Sequence, residues 1–292
     1  MYYLGNIIMS IRPITLTGDN VEEKRKEIKE YFNNSYELFE SIFEILKDDS
    51  VFYQKSEPTR HPMIFYFGHT ATFFVNKLIL MKIIDKRINE NFESMFAIGV
   101  DEMSWDDMES TNYKWPDVNE VRNYRKKVKK LVNNLIDTLP LTLPIKQNDP
   151  FWIILMGIEH ERIHIETSLV LHRQMPIEFI KQNDNFTPFP NSKKAPKNEL
   201  VSIAGGEVVL GKKETHHLYG WDNEYGTQKE KLQSFQISKY LVSNEEFKEF
   251  VDADGYLKHE YWCEEGIEFL KDRGVKNPTF WIKKDNGDFD YR

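Results

Sequence analysis

The stretch PFWIILMGIEHERIHIETSLVLHRQ, residues 150–174, decides the fold. Pro150 stands where a helix begins, since its fixed φ suits the first turn and its missing N–H would find no partner there. Pro176 lies just past the other end. On the helix between them His160 and His164 are four residues apart, so their rings leave the same face one turn from each other. Two imidazoles in that relation can converge on one metal ion, although a pair of ordinary helix histidines would look the same.

Three more long helices precede this one. Over Val21 to Lys47 the apolar residues Ile28, Phe32, Phe39, Phe43 and Leu46 recur mainly at three, four and seven, which is one helical face. A second helix, Met63 to Ile84, opens after Pro62, and its polar members His69, Thr72 and Asn76 sit among core residues. A third, Asp117 to Leu139, opens at Pro116-Asp117, stops at Pro140, and is expected to carry its lysines and arginines on the exposed side. Four long helices make a bundle.

His69 is costly to bury in so apolar a stretch unless it is hydrogen-bonded or bound to metal. Alone it reads as a core histidine. With His160 and His164 it completes three imidazoles from two bundle helices, a common way to build a metal site in a bundle core. The string His160-Glu161-Arg162-Ile163-His164 also satisfies H-E-x-x-H, in which the glutamate of a zinc hydrolase would activate a metal-bound water. The glycine and histidine of a metzincin are missing, however: Thr167 and Val170 stand in their places. Glu166 points roughly 120° away from His160 on an ideal helix, which fits a supporting role better than direct ligation. His172 reads as structural, and His216, His217 and His259 lack ligand spacing. Cys263, beside Trp262, reads as a packed thiol.

Beyond the bundle the grammar changes. Residues 183–198 are rich in Asn, Pro and Lys without apolar periodicity, as in a connection between domains. Leu200 to Gly211 reads as two short strands around Gly205-Gly206, and Leu232 to Tyr240 alternates like another. Ser243-Asn244-Glu245-Glu246 is a capping box that opens a helix with Phe247 and Phe250 on its apolar face. The expectation is an α+β chain: a bundle over 10–182, a linker over 183–199, and a mixed domain over 200–292.

A net charge of −8 over 292 residues argues against a nucleic-acid partner, which would require a basic contact face. The single cysteine allows no intrachain disulfide and gives no reason to expect an oxidising compartment. Met1 to Ser10 is apolar but lacks a basic leader and a cleavage site, and no apolar run is expected to span a bilayer. A cytoplasmic chain without membrane contact is the expectation.

Three strings carry a resemblance: Arg60-His61-Pro62 through Phe67-Gly68-His69-Thr70-Ala71, Gly99-Val100-Asp101-Glu102-Met103-Ser104-Trp105-Asp106, and Ile158 through Thr167. With Tyr219-Gly220-Trp221-Asp222-Asn223-Glu224 and Tyr261-Trp262-Cys263-Glu264-Glu265-Gly266 they resemble the 5-histidylcysteine sulfoxide synthases of ovothiol biosynthesis. The ergothioneine-pathway sulfoxide synthases share the plan, a DinB-like four-helix bundle followed by a formylglycine-generating-enzyme-like (sulfatase-modifying factor) domain. Asp101 to Asp106 and Ile163 favour the ovothiol branch.

The resemblance implies iron(II) on His69, His160 and His164, with dioxygen as co-substrate and cysteine and histidine as substrates. It also implies a pocket-lining role for Trp105, Asp106 and Asp107, which otherwise read as a surface loop. In that family the second domain continues beyond the point matched by Arg292 and supplies a catalytic tyrosine there. A fragment, a split gene with a companion chain, or a decayed copy is therefore expected. Three alternatives stay open: an ergothioneine-type sulfoxide synthase, a zinc-dependent hydrolase or thiol-transferase on the bundle, and an inactive metal-binding fragment.

Overall fold

The computed structural model describes residues 12–97, 113–183 and 194–291. Trp105, Asp106 and Asp107 lie outside the described residues. The chain divides into two compact units, one within Met1–Phe189 and Gly211–Thr227, the other within Pro190–Leu210 and Gln228–Arg292.

The first unit is built on α1 (Val21–Phe43), α2 (Met63–Leu80), α3 (Glu90–Met95), α4 (Val118–Thr138) and α5 (Pro150–Gln174). Each start has a local chemical cause. The Asn20 side chain accepts from the backbone of Glu22 and Glu23, Asp117 and Glu120 form a reciprocal capping box, and Pro150 sits in the first turn of α5. α2 ends earlier than its apolar run, at Leu80, because Met81 leaves helical geometry and Lys82 takes a positive φ of 56°. The short α3 was not apparent from periodicity, as six residues give too little of it.

Aromatic rings fill the space between the long helices. Phe32, Phe39, Phe43, Phe67 and Phe74 are all buried, and Phe43 meets Phe67 at 5.0 Å while Phe32 meets Phe74 edge-on at 5.6 Å. By length and composition α2 could cross a membrane, but 72% of it is buried inside the bundle. The expected exposed basic face of α4 has an exception: Arg125 is fully buried. Residues 211–227 close one end of the unit, where Leu16 N–H donates to the His217 carbonyl at 2.7 Å and Tyr219 packs on Trp152 at 4.8 Å.

Among the described residues, the second unit holds three separate antiparallel ribbons. β1 (Leu200–Ile203) pairs with β4 (Phe235–Ser238), β2 (Gly206–Leu210) with β3 (Gln228–Leu232), and β5 (Trp281–Lys283) with β6 (Phe289–Tyr291). The strands flanking Gly205 therefore pair with later strands rather than with each other. Ser243 and Glu246 close the expected capping box on α6 (Asn244–Asp252), and Gly274, left-handed at φ 59°, ends α7 (Glu264–Arg273). Cys263 is exposed at the start of α7, not packed.

Candidate metal centre

Contacts between α2 and α5 descend in register: Phe74 lies against Gly157, Thr70 bonds Glu161, and Tyr66 faces His164. Numbers rise on one helix as they fall on the other, so the helices are antiparallel. Gly157 permits this approach, since a Cβ there would stand 2.2 Å from the Phe74 ring. His69 is thereby carried opposite the turn that holds His160 and His164.

The three imidazoles come together. Ring centroids are 5.0 Å apart for His69 and His160, 4.8 Å for His69 and His164, and 4.5 Å for His160 and His164. One nitrogen of each lies within 4.8 Å of the other two. Two nitrogens bound at about 2.1 Å span at most about 4.2 Å across an ion, so small side-chain rotations close the trio around a metal.

His69 is 8% exposed, and its Nδ1 lies 2.6 Å from the Phe96 carbonyl oxygen. A carbonyl can only accept, so Nδ1 carries the proton and Nε2 keeps its lone pair free. Phe65 stacks on the His69 ring at 5.1 Å. Phe73 lies face to face with His160 at 3.7 Å, and the Lys77 ammonium stands 5.2 Å from the Phe73 ring centre. Among the described residues, Nδ1 of His160 and Nδ1 of His164 are buried without a hydrogen-bond partner. Such unpartnered nitrogens are costly in a core, and a bound metal is one way to satisfy an imidazole there.

Burial also sets their charge. It holds His164 down to about 3, with His69 nearby adding to the effect. His160 is driven well below the ordinary histidine value, first by burial and then by His164, His69 and Lys77. Burial lowers His69 too, against the pull of the Phe96 carbonyl. All three imidazoles are neutral at pH 7, the form that binds metals. An all-imidazole donor set suits iron, zinc, copper or nickel and is a poor host for magnesium or calcium. The residues fit a transition-metal ion.

Glu161 does not belong to this face. One residue on from His160 the helix has turned about 100°, and the fully buried carboxylate accepts from Arg125 at 3.2 Å and from Thr70 at 3.3 Å. Burial raises its carboxyl to about 7, with Arg125 pulling the other way. The H-E-x-x-H reading needs that carboxylate beside the metal, and here it is committed to the core. Glu166 is exposed, and His172 is buried edge-on against Phe43 at 5.1 Å. His216 and His217 stack on each other at 4.7 Å, apart from the trio.

Phe73, Arg125 and the Phe96 carbonyl were missed in the sequence. For Arg125 a signal exists: it shares the apolar stripe of α4 with Val121, Val128 and Val132, all buried.

Comparison with known proteins agrees with this architecture. Residues 31–168 match the DinB superfamily, and residues 185–287 match the sulfatase-modifying factor enzyme 1-like domain. The chain is 28% identical over 165 residues to a hercynine oxygenase of Mycolicibacterium smegmatis, covering 56% of this chain and 36% of that protein. It is 25% identical over 253 residues to ergothioneine biosynthesis protein 1 of Neurospora crassa, covering 80% of this chain and 26% of that protein. The protein of the same name from Schizosaccharomyces pombe is also 25% identical, covering 71% and 31%. The chain thus spans about a third or less of the length of these relatives. It is an α+β polypeptide that joins a DinB-like helical domain to a domain of the sulfatase-modifying factor type.

Proposed function

We propose that His69, His160 and His164 hold iron(II), and that the site serves oxygen-dependent coupling of cysteine sulfur to the histidine imidazole, giving 5-histidylcysteine sulfoxide. The observation that carries this reading is the trio itself: three neutral imidazoles, His69 buried and His160 and His164 half-buried, with the glutamate of the motif turned into the core. Similarity to a hercynine oxygenase supports the reaction class. Asp101 to Asp106 and Ile163 support histidine itself as the acceptor.

Iron(II) in such a site supplies the activation of dioxygen, and both thiolate and imidazole are ligands it accepts. The chain's own residues prepare the place. The Phe96 carbonyl fixes the tautomer and rotation of His69. Phe73 clamps the plane of His160, and Phe65 stacks on the ring of His69. His69, His160 and His164 would hold the ion with three nitrogens, and substrates would complete its coordination.

A second reading replaces histidine by its trimethylated form, hercynine, and the names of the relatives favour it. The chain reconstituted with iron(II) under nitrogen, then given oxygen, cysteine and either acceptor, separates the two by the mass of the product. Coupling to histidine supports the first reading and coupling to hercynine alone supports the second. Iron bound without coupling to either contradicts the catalytic reading for this chain.

A further inference from the structure

A single guanidinium touches all four long helices. Arg125 on α4 is fully buried. Its Nε donates to Glu40 on α1 at 3.2 Å, its Nη1 to the Phe67 carbonyl and Thr70 Oγ1 on α2 at 2.9 Å each, and its Nη2 to Glu161 on α5 at 3.2 Å. Its flat face lies over Tyr36 at 4.4 Å and Phe39 at 4.8 Å, and the Tyr36 hydroxyl donates back to the Arg125 carbonyl at 2.8 Å. Thr70 Oγ1, held by Arg125, itself donates to Glu161 at 3.3 Å.

Those partners stand beside the histidines. Phe67 and Thr70 flank His69 on α2, and Glu161 follows His160 on α5. A guanidinium presents its donors in a rigid planar fork, so gripping both helices at once fixes how far one can slide along the other. The sensitivity is high: a slip of one residue is about 1.5 Å along a helix, whereas metal-to-ligand distances tolerate about 0.2 Å. Apolar packing is less directional, and a core built without the ion pair is often as stable or more so. Stability alone therefore does not account for a buried arginine at this position.

We propose that Arg125 is a positioning residue of the metal centre, acting through Thr70 and Glu161 to set the register of His69 against His160 and His164. The inference rests on the reading of the trio as a metal site.

Cobalt(II) titration of the full chain, followed by its visible absorption, tests it alongside thermal unfolding of the metal-free protein. Arg125→Met combined with Glu161→Met removes both buried charges, and Glu40, 34% exposed, is left to solvent. The double variant should unfold at or above the wild-type temperature yet bind cobalt at least about 10-fold more weakly, with an altered absorption band. Arg125→Lys, which keeps the charge but loses the fork, should fall between. A stable double variant with wild-type affinity and spectrum would overturn the inference. If the double variant does not fold, unchanged affinity and spectrum in Arg125→Lys would overturn it equally. Failure of the wild type to bind cobalt would instead remove the metal site itself, and the inference with it.

Discussion

Phe73 and His160 lie face to face, with ring centroids 3.7 Å apart and planes 7° from parallel. An imidazole held this way loses little rotational freedom when it ligates, because the aromatic ring has already chosen its plane. Phe73→Leu should therefore weaken metal binding by about 10-fold, the lower range for groups that orient ligands. Competition with a chelating dye measures this, and wild-type affinity in the variant would show that Phe73 has no orienting role.

Gly157→Ala should destabilise the helical unit by about 1 to 3 kcal/mol, because the added methyl must displace the Phe74 ring or separate α5 from α2. Urea unfolding followed by far-ultraviolet circular dichroism reads this directly. A midpoint equal to wild type would mean that the two helices do not approach so closely.

His172 gives stability a pH dependence. Burial holds it down to about 4 in the folded chain, against roughly 6.5 when unfolded. Between these values the unfolded chain binds the extra proton, so the contribution is complete above about 6.5 and is lost as pH falls towards 4, by up to about 3 kcal/mol. His172→Leu should flatten the fall in unfolding midpoint of the metal-free protein between pH 7.5 and 5. Parallel curves for the two proteins would contradict the assignment.

Asp117 opens α4 with its side chain accepting from the Asn119 N–H and with Glu120 reaching back to its own N–H. Asp117→Ala should cost about 1 kcal/mol. The same denaturation experiment checks it, and a loss well under 0.5 kcal/mol would show the cap to be idle.

The four long helices and α6 were legible because their punctuation is local. Pro150, Asp117 and the capping box at Ser243 each act within one turn, and the apolar stripes that bury α1 and α4 follow one helical period. The meeting of His160 with His164 was legible for the same reason, since four residues on a helix fix their relation. Their meeting with His69 depends on the antiparallel docking of two helices far apart in sequence, which spacing cannot give.

Arg125 shows where reading by residue type fails. In a helix rich in lysine and arginine it looked like one more solvated charge, yet its place on the apolar stripe beside Val121 and Val128 put it in the core. Glu161 shows the limit of motif spelling: H-E-x-x-H alone would put it at a metal, and the turn of the helix puts it against Arg125. In the second unit β1, β2 and β4 were legible as strands, whereas β3, β5 and β6 were not, and no pairing was. Register there is set by contacts between segments such as Leu200–Ile203 and Phe235–Ser238, which alternation within either one does not specify.

The most direct measurement is the iron content of the chain after anaerobic loading with iron(II) and dialysis, compared with His69→Ala, His160→Ala and His164→Ala. One equivalent in the wild type, with at least 100-fold weaker binding in each variant that keeps its helical signal, is the predicted result. Iron retained by the variants, or none held by the wild type, would contradict the three-histidine centre.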